Sequence, residues 1–157
     1  MKNLILILLL LSGQLVFAQS KKEVKKNKIK AVTVTDTEAG KTLNDSKTLF
    51  NADGSVSEET TYNKDGSVKK LHKYKYNAEG DVTEEQEFDD KNKLTEKKTV
   101  KYNALGEKTE EIFYDGGNKL IKKNIFTYDK NGLKNEKKTT DAAGKIISVR
   151  KYNYEYK

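Results

Sequence analysis

Hydrophobic and polar positions along this chain alternate in short runs, and turn residues cut the runs at a fixed beat. Gly40, Gly54, Gly66, Gly80, Asn92, Gly106, Asn118, Gly132 and Gly144 stand alternately 14 and 12 residues apart. Self-similarity at a fixed period marks a repeat architecture. Between the turns lie segments such as Ser55 to Tyr62 (SVSEETTY), Ser67 to Tyr76 (SVKKLHKYKY) and Lys119 to Tyr128 (KLIKKNIFTY). They are rich in Thr, Val, Ile, Tyr and Phe, and the chain has no Pro. Such runs predict strands separated by turns. The connectors read NADGS, NKDGS, NAEGD, DDKNK, NALGE, DGGNK, DKNGL and DAAGK. Asn or Asp comes first and Gly or Asn fourth, which predicts a three-residue hairpin loop: a type I turn, then a left-handed residue. Gly adopts that conformation without strain, and Asn tolerates it.

These elements predict an all-β fold, an antiparallel meander of about ten strands built from 26-residue double hairpins. The loop also predicts a register. Phe50 should face Val56, Tyr62 face Val68, Tyr76 face Val82, Phe88 face Leu94 and Tyr114 face Leu120, each an aromatic against an aliphatic residue. Continued along the strands, the same rule opposes Glu84 to Lys98, Glu85 to Lys97, Lys73 to Glu85, Glu111 to Lys123 and Glu136 to Arg150. Short strands tend to be acidic and long strands basic, which disfavours pairing of like with like. Even residues then face even residues throughout. All nine Tyr are even-numbered, so they should share one face, in two belts at the strand ends. Between the belts would lie a charged band of Glu58, Thr60, Lys70, His72, Glu84, Gln86, Glu96, Lys98 and Lys122. An outer-membrane barrel needs the reverse, an apolar middle facing lipid. An open, curled single-layer sheet fits the pattern, with a closed up-and-down barrel as the alternative.

Lys2, the apolar run Leu4 to Leu11 and the small-residue end Val16-Phe17-Ala18 predict a secretory signal peptide over residues 1–18, with cleavage after Ala18. The apolar run is too short to span a bilayer. Of the net +7, one charge is Lys2 and five are the excess of Lys over Glu between Lys21 and Lys30. Residues 19–30 therefore read as a basic flexible leader, and residues 31–157, the β-hairpin repeat domain, are close to neutral. That argues against nucleic acid as a partner. The chain has no Cys, so it offers neither disulfides nor a thiol nucleophile.

Few residues carry chemistry that the beat does not explain. His72 is the lone His, expected beside Glu58 and Gln86 as a sheet-face residue; no nucleophile motif accompanies it. The Asp-Gly turns share a dipeptide with calcium loops but lack the spaced ligands, so no metal or other cofactor is expected. Glu84-Glu85 and Glu110-Glu111 are adjacent on strands and point to opposite faces, so they cannot flank one glycosidic bond. No catalytic residue is expected. The candidate binding residues are the tyrosines Tyr62, Tyr74, Tyr76, Tyr102, Tyr114, Tyr128, Tyr152 and Tyr154, whose rings suit stacking on sugars or aromatic ligands.

The unit aromatic-Asx-x-x-Gly, clearest in Tyr76 to Val82 (YNAEGDV), Tyr102 to Gly106 (YNALG) and Tyr128 to Gly132 (YDKNG), resembles the YD repeat of bacterial RHS-type surface proteins. It is also similar to the MORN-like repeats of some bacterial antitoxins. The first resemblance implies a β-repeat fold with a role in surface contact. The second implies an inhibitor. The expectation is an exported, non-enzymatic protein, periplasmic or extracellular, that binds a glycan or protein partner at the cell envelope. The alternative is a secreted immunity-like protein that neutralises a toxin. It is not expected to span the membrane, and its exposed edge strands invite self-association.

Overall fold

The computed structural model describes residues 20–157; the expected signal peptide lies outside the described residues. A short helix, α1 (Lys21–Lys26), precedes ten strands: β1 (Ala31–Glu38), β2 (Lys41–Phe50), β3 (Val56–Tyr62), β4 (Val68–Tyr76), β5 (Val82–Phe88), β6 (Leu94–Tyr102), β7 (Lys108–Asp115), β8 (Leu120–Tyr128), β9 (Lys134–Asp141) and β10 (Ile146–Lys151). They form one antiparallel sheet in the order β1 to β10. The sheet is an open, curled meander, not closed into a barrel. No described helix is long and apolar enough to cross a membrane.

The expected turns are all present. In each connector the fourth residue donates its N–H to the carbonyl of the first, and the first donates to the carbonyl of the fifth, as in Gly66 to Asn63 and Asn63 to Ser67. The left-handed position is Gly or Asn throughout, with φ of 57° at Asn92 and 64° at Asn118. The Asx residue has its own task. In five turns its side chain accepts backbone N–H groups two and four residues on, as Asp89 accepts from Lys91 and Lys93 and Asn103 from Leu105 and Glu107. Only β1 and β2 join differently. There Ala39 and Gly40, at φ 50° and 78°, make the two-residue turn that matches strand twist.

The register departs from expectation by one residue, and the reason is a β-bulge in every hairpin. Tyr62 faces Val68 as expected, but Thr61 then faces Lys70, leaving Lys69 unpaired. The same slip leaves out Ser57, Thr83, Thr95, Thr109, Ile121, Asn135 and Ile147. A bulge inserts one residue against none and flips the parity beyond it. The expected charge pairs are therefore each displaced by one. Glu85 faces Lys98, Glu84 faces Thr99, Lys73 faces Gln86, Glu111 faces Asn124 and Glu136 faces Lys151. Thr83, Thr95 and Thr109 turn their hydroxyls onto partner-strand carbonyls at Lys75, Glu87 and Lys101. A short hydroxyl side chain thus supplies a donor where the ladder is interrupted.

The parity flip overturns the single even face. Long strands place even residues, and short strands odd residues, on the face that carries Tyr74. The core is thin. Among the described residues the buried apolar side chains are Val24, Val100 and Phe126, alongside buried Ser46, Thr48, Ser55 and Asn124. Residues 21–26 of the expected flexible leader are ordered. Ser20 and Glu23 cap each other, and Val24, only 1% exposed, lies over the end of the sheet formed by Phe50, Val56 and Tyr76.

Candidate functional site

The tyrosines expected in one place form two rows on opposite faces. Short strands end in Tyr62, Phe88 and Tyr114 on one face; long strands end in Phe50, Tyr76, Tyr102 and Tyr128, with Tyr154 in the same phase, on the other. Each row sits at its own end of the sheet, because short and long strands run in opposite directions. Residues 26 apart lie two strands apart, so equivalent rings recur about every 9–10 Å.

The long-strand row is anchored by its hydroxyls. Tyr76 donates to the carbonyl of Val56 at 2.7 Å, Tyr102 to that of Val82 at 3.0 Å, Tyr128 to that of Lys108 at 2.8 Å and Tyr154 to that of Lys134 at 2.7 Å. Each phenol satisfies the first carbonyl of a short strand. Tyr76, Tyr102 and Tyr128 remain partly exposed. Next to Tyr102 lies an open notch of about 300 Å³, lined by Val100, Asn77, Asp81, Thr83 and Asn103. An aromatic wall facing amide and carboxylate groups is a sugar-compatible chemistry.

The short-strand row is covered by lysines. Lys73 lies 5.4 Å from the Phe88 ring centre and Lys97 4.6 Å from that of Tyr114. Tyr62 instead borders a small acidic notch with Asp36, Glu38 and Asp45. Tyr152 lies on the Tyr74 face, 5.8 Å from the Lys134 ammonium.

The middle of the Tyr74 face holds a half-buried polar network. The bulges bring His72 against Glu85 and Glu87, each 3.8 Å away, and opposite Glu59, rather than against Glu58 and Gln86 as expected. Tyr74 donates to Glu59 at 2.6 Å. Burial first, and then that hydrogen bond, push its phenol well above the ordinary range. Lys98 pairs with Glu85 and Lys70 with Glu87 at 2.7 Å. Further along, Asn124 bridges Glu111 and Thr139, with both bonds at 2.9 Å. Glu59, Glu85 and Glu87 are site residues that the sequence reading missed. The polar side chains at Ser57, Thr83, Thr95, Thr109 and Asn135, three residues past each turn Gly or Asn, were the signal that could have found them.

This network sets a pH dependence. Burial pulls the carboxyls of Glu87 and Glu111 upward, but hydrogen bonds and charge from Lys70, and from Lys108 and Asn124, outweigh it and leave both below the usual range. On the opposite face of the sheet, the hydrogen bond from Lys101 leads in lowering Glu110, with Lys123 adding to it against burial. A carboxyl lowered by folding stabilises fully above its unfolded value and loses that contribution as pH falls through its folded value. The melting temperature should therefore fall as pH drops below about 4.5. Glu111→Gln should flatten that acid limb, and an unchanged limb would show that Glu111 does not carry it.

No protein-family model and no curated protein matches the chain. Among solved structures, it is similar to a Bacteroides fragilis protein of unknown function at 17% identity and TM-score 0.45, over 81% of this chain and 96% of that one. It is also similar to part of TarM, at 16% identity and TM-score 0.32, over 83% of this chain and 22% of that one. A part of the GtfA/B complex matches at 12% identity and TM-score 0.23, over 76% of this chain and 24% of that one.

Proposed function

We propose that this chain is an exported, non-enzymatic β-repeat protein whose sheet binds a repeating glycan at the cell envelope. The observation that supports this reading is the anchored row of Tyr76, Tyr102 and Tyr128. Three partly exposed tyrosines recur at a constant spacing, each fixed by its hydroxyl so that little side-chain freedom is lost on binding. A polymer with its own repeat can engage such a row at several points, and multivalence compensates for weak single contacts. The Asx-rich turns beside each ring supply acceptors and donors for sugar hydroxyls. The inhibitor reading has no comparable feature to rest on.

The test separates ring from hydroxyl. Tyr102→Phe keeps the ring and loses the anchor; Tyr102→Ala loses both. On soluble envelope polysaccharide, Tyr102→Ala should weaken binding about tenfold, which is about 1.4 kcal/mol, and Tyr102→Phe much less. Equal binding by wild type and Tyr102→Ala, with both variants folded, would overturn the proposal.

A further inference from the structure

Among the described residues the two edges of the sheet are unpaired, and they are opposite in character. β1 carries Asp36 and Glu38 and no cation. β10 carries Arg150 and Lys151 and no carboxylate. Along β10 every residue is exposed, including Ile146 at 53%, Ile147 at 57% and Val149 at 46%. On β1, Val34 is 45% exposed. The backbone is available as well. Tyr152 donates its N–H inward to Asn135, so by strand alternation Val149 and Lys151 turn their N–H and C=O groups outward.

We propose that these edges join copies of this chain head to tail, β10 of one copy pairing antiparallel with β1 of the next. Two arguments select this pairing. From β1 to β8 the strands alternate net acidic and net basic, β9 alone departing with three Lys against Glu136 and Asp141, and ten strands complete a whole number of such pairs. The strand that would follow β10 in phase and direction is a short acidic strand, which is what β1 is. Symmetric pairing is opposed by charge: β10 against β10 sets Arg150 and Lys151 against their own copies, and β1 against β1 does the same with Asp36 and Glu38. Alternating charge therefore blocks the symmetric dimer and favours the unlike junction. A head-to-tail contact is heterologous and yields a ring or an open chain rather than a dimer that stops. The edges supply backbone hydrogen bonds, and Val34, Ile147 and Val149 supply apolar area.

Sedimentation velocity on the purified chain over a range of concentrations reads the outcome. Wild type should show species larger than a dimer that decline as salt rises, with slowed amide exchange at β1 and β10. Val149→Pro removes one outward donor and should weaken association about tenfold. The charge swap is the stronger test. Arg150→Glu with Lys151→Glu, or Asp36→Lys with Glu38→Lys, should each disperse the assembly. Mixing the two variants, or combining all four substitutions, should restore it. The proposal fails if wild type is monomeric throughout, if association stops at a dimer, or if each charge-swapped variant still assembles alone.

Discussion

Gly54→Ala should cost about 2–4 kcal/mol of stability, and Gly66→Ala only about 1 kcal/mol. The two glycines occupy equivalent turns with φ of 87° and 86°, so the strain from a left-handed alanine is common to both. They differ in what an added methyl meets. At Gly66 nothing lies within 4 Å; at Gly54 the methyl would stand 2.4 Å from the Lys21 carbonyl oxygen and 3.2 Å from the Lys25 nitrogen. Both are backbone atoms of α1, which cannot swing aside as a side chain can. The helix must lift, which exposes Val24 and breaks the Lys21–Asp53 ion pair at 2.9 Å. Burying a side chain of this size is worth about 1.5–3 kcal/mol, in line with the difference expected. Denaturant unfolding of the two variants measures it directly. Equal losses would mean that α1 contributes nothing to the stability of the sheet.

That contrast shows what the sequence revealed and what it hid. Gly54 and Gly66 are equally legible as turn glycines, because Asx-x-x-Gly at a fixed period has one economical explanation. The docking of α1 on Gly54 alone was not legible. The run Lys21 to Lys30 looks like a solvated tail by composition, and a single Val in a basic hexapeptide gives no periodicity to read. Ser20 and Glu23 spell a capping box, but a helix this short is marginal without a surface to lie on. Strand number and order followed from the beat; the register did not. A bulge next to a turn needs no special residue, so the eight bulges left only a bias toward Ser, Thr and Asn. The charge pattern concealed the slip further. Glu84-Glu85, Glu110-Glu111, Lys97-Lys98 and Lys122-Lys123 are doublets, so moving the register by one still sets an acid near a base. Glu85 meets Lys98 instead of Lys97, and Glu84 finds Lys75 at 2.7 Å. The tyrosine belts were misplaced for the same reason. Common parity put them on one face, whereas the bulges divide them between two.

Asn124→Asp should destabilise the sheet by about 3 kcal/mol, and Glu111→Gln should largely rescue it. The register expected from the loops puts Lys123 opposite Glu111, which would make Asn124 a bystander. The bulge puts Asn124 there instead, 4% exposed, donating its amide to Glu111 and accepting from Thr139. A carboxylate at position 124 loses the donor and sets two acids against each other at a site with little solvent. Lys108, 2.8 Å from Glu111, can neutralise one charge but not both. Glu111→Gln removes the repulsion and restores a donor, so the double variant should be more stable than Asn124→Asp alone. The coupling should amount to about 1–3 kcal/mol by a double-mutant cycle in urea. The cycle also tests the register. If Lys123 faced Glu111, Asn124→Asp would be mild and the two substitutions would add independently. Strong coupling between positions 111 and 124 requires the one-residue slip. That slip moves Tyr62 and Tyr114 off the face that carries His72, Tyr74, Tyr102 and Phe126.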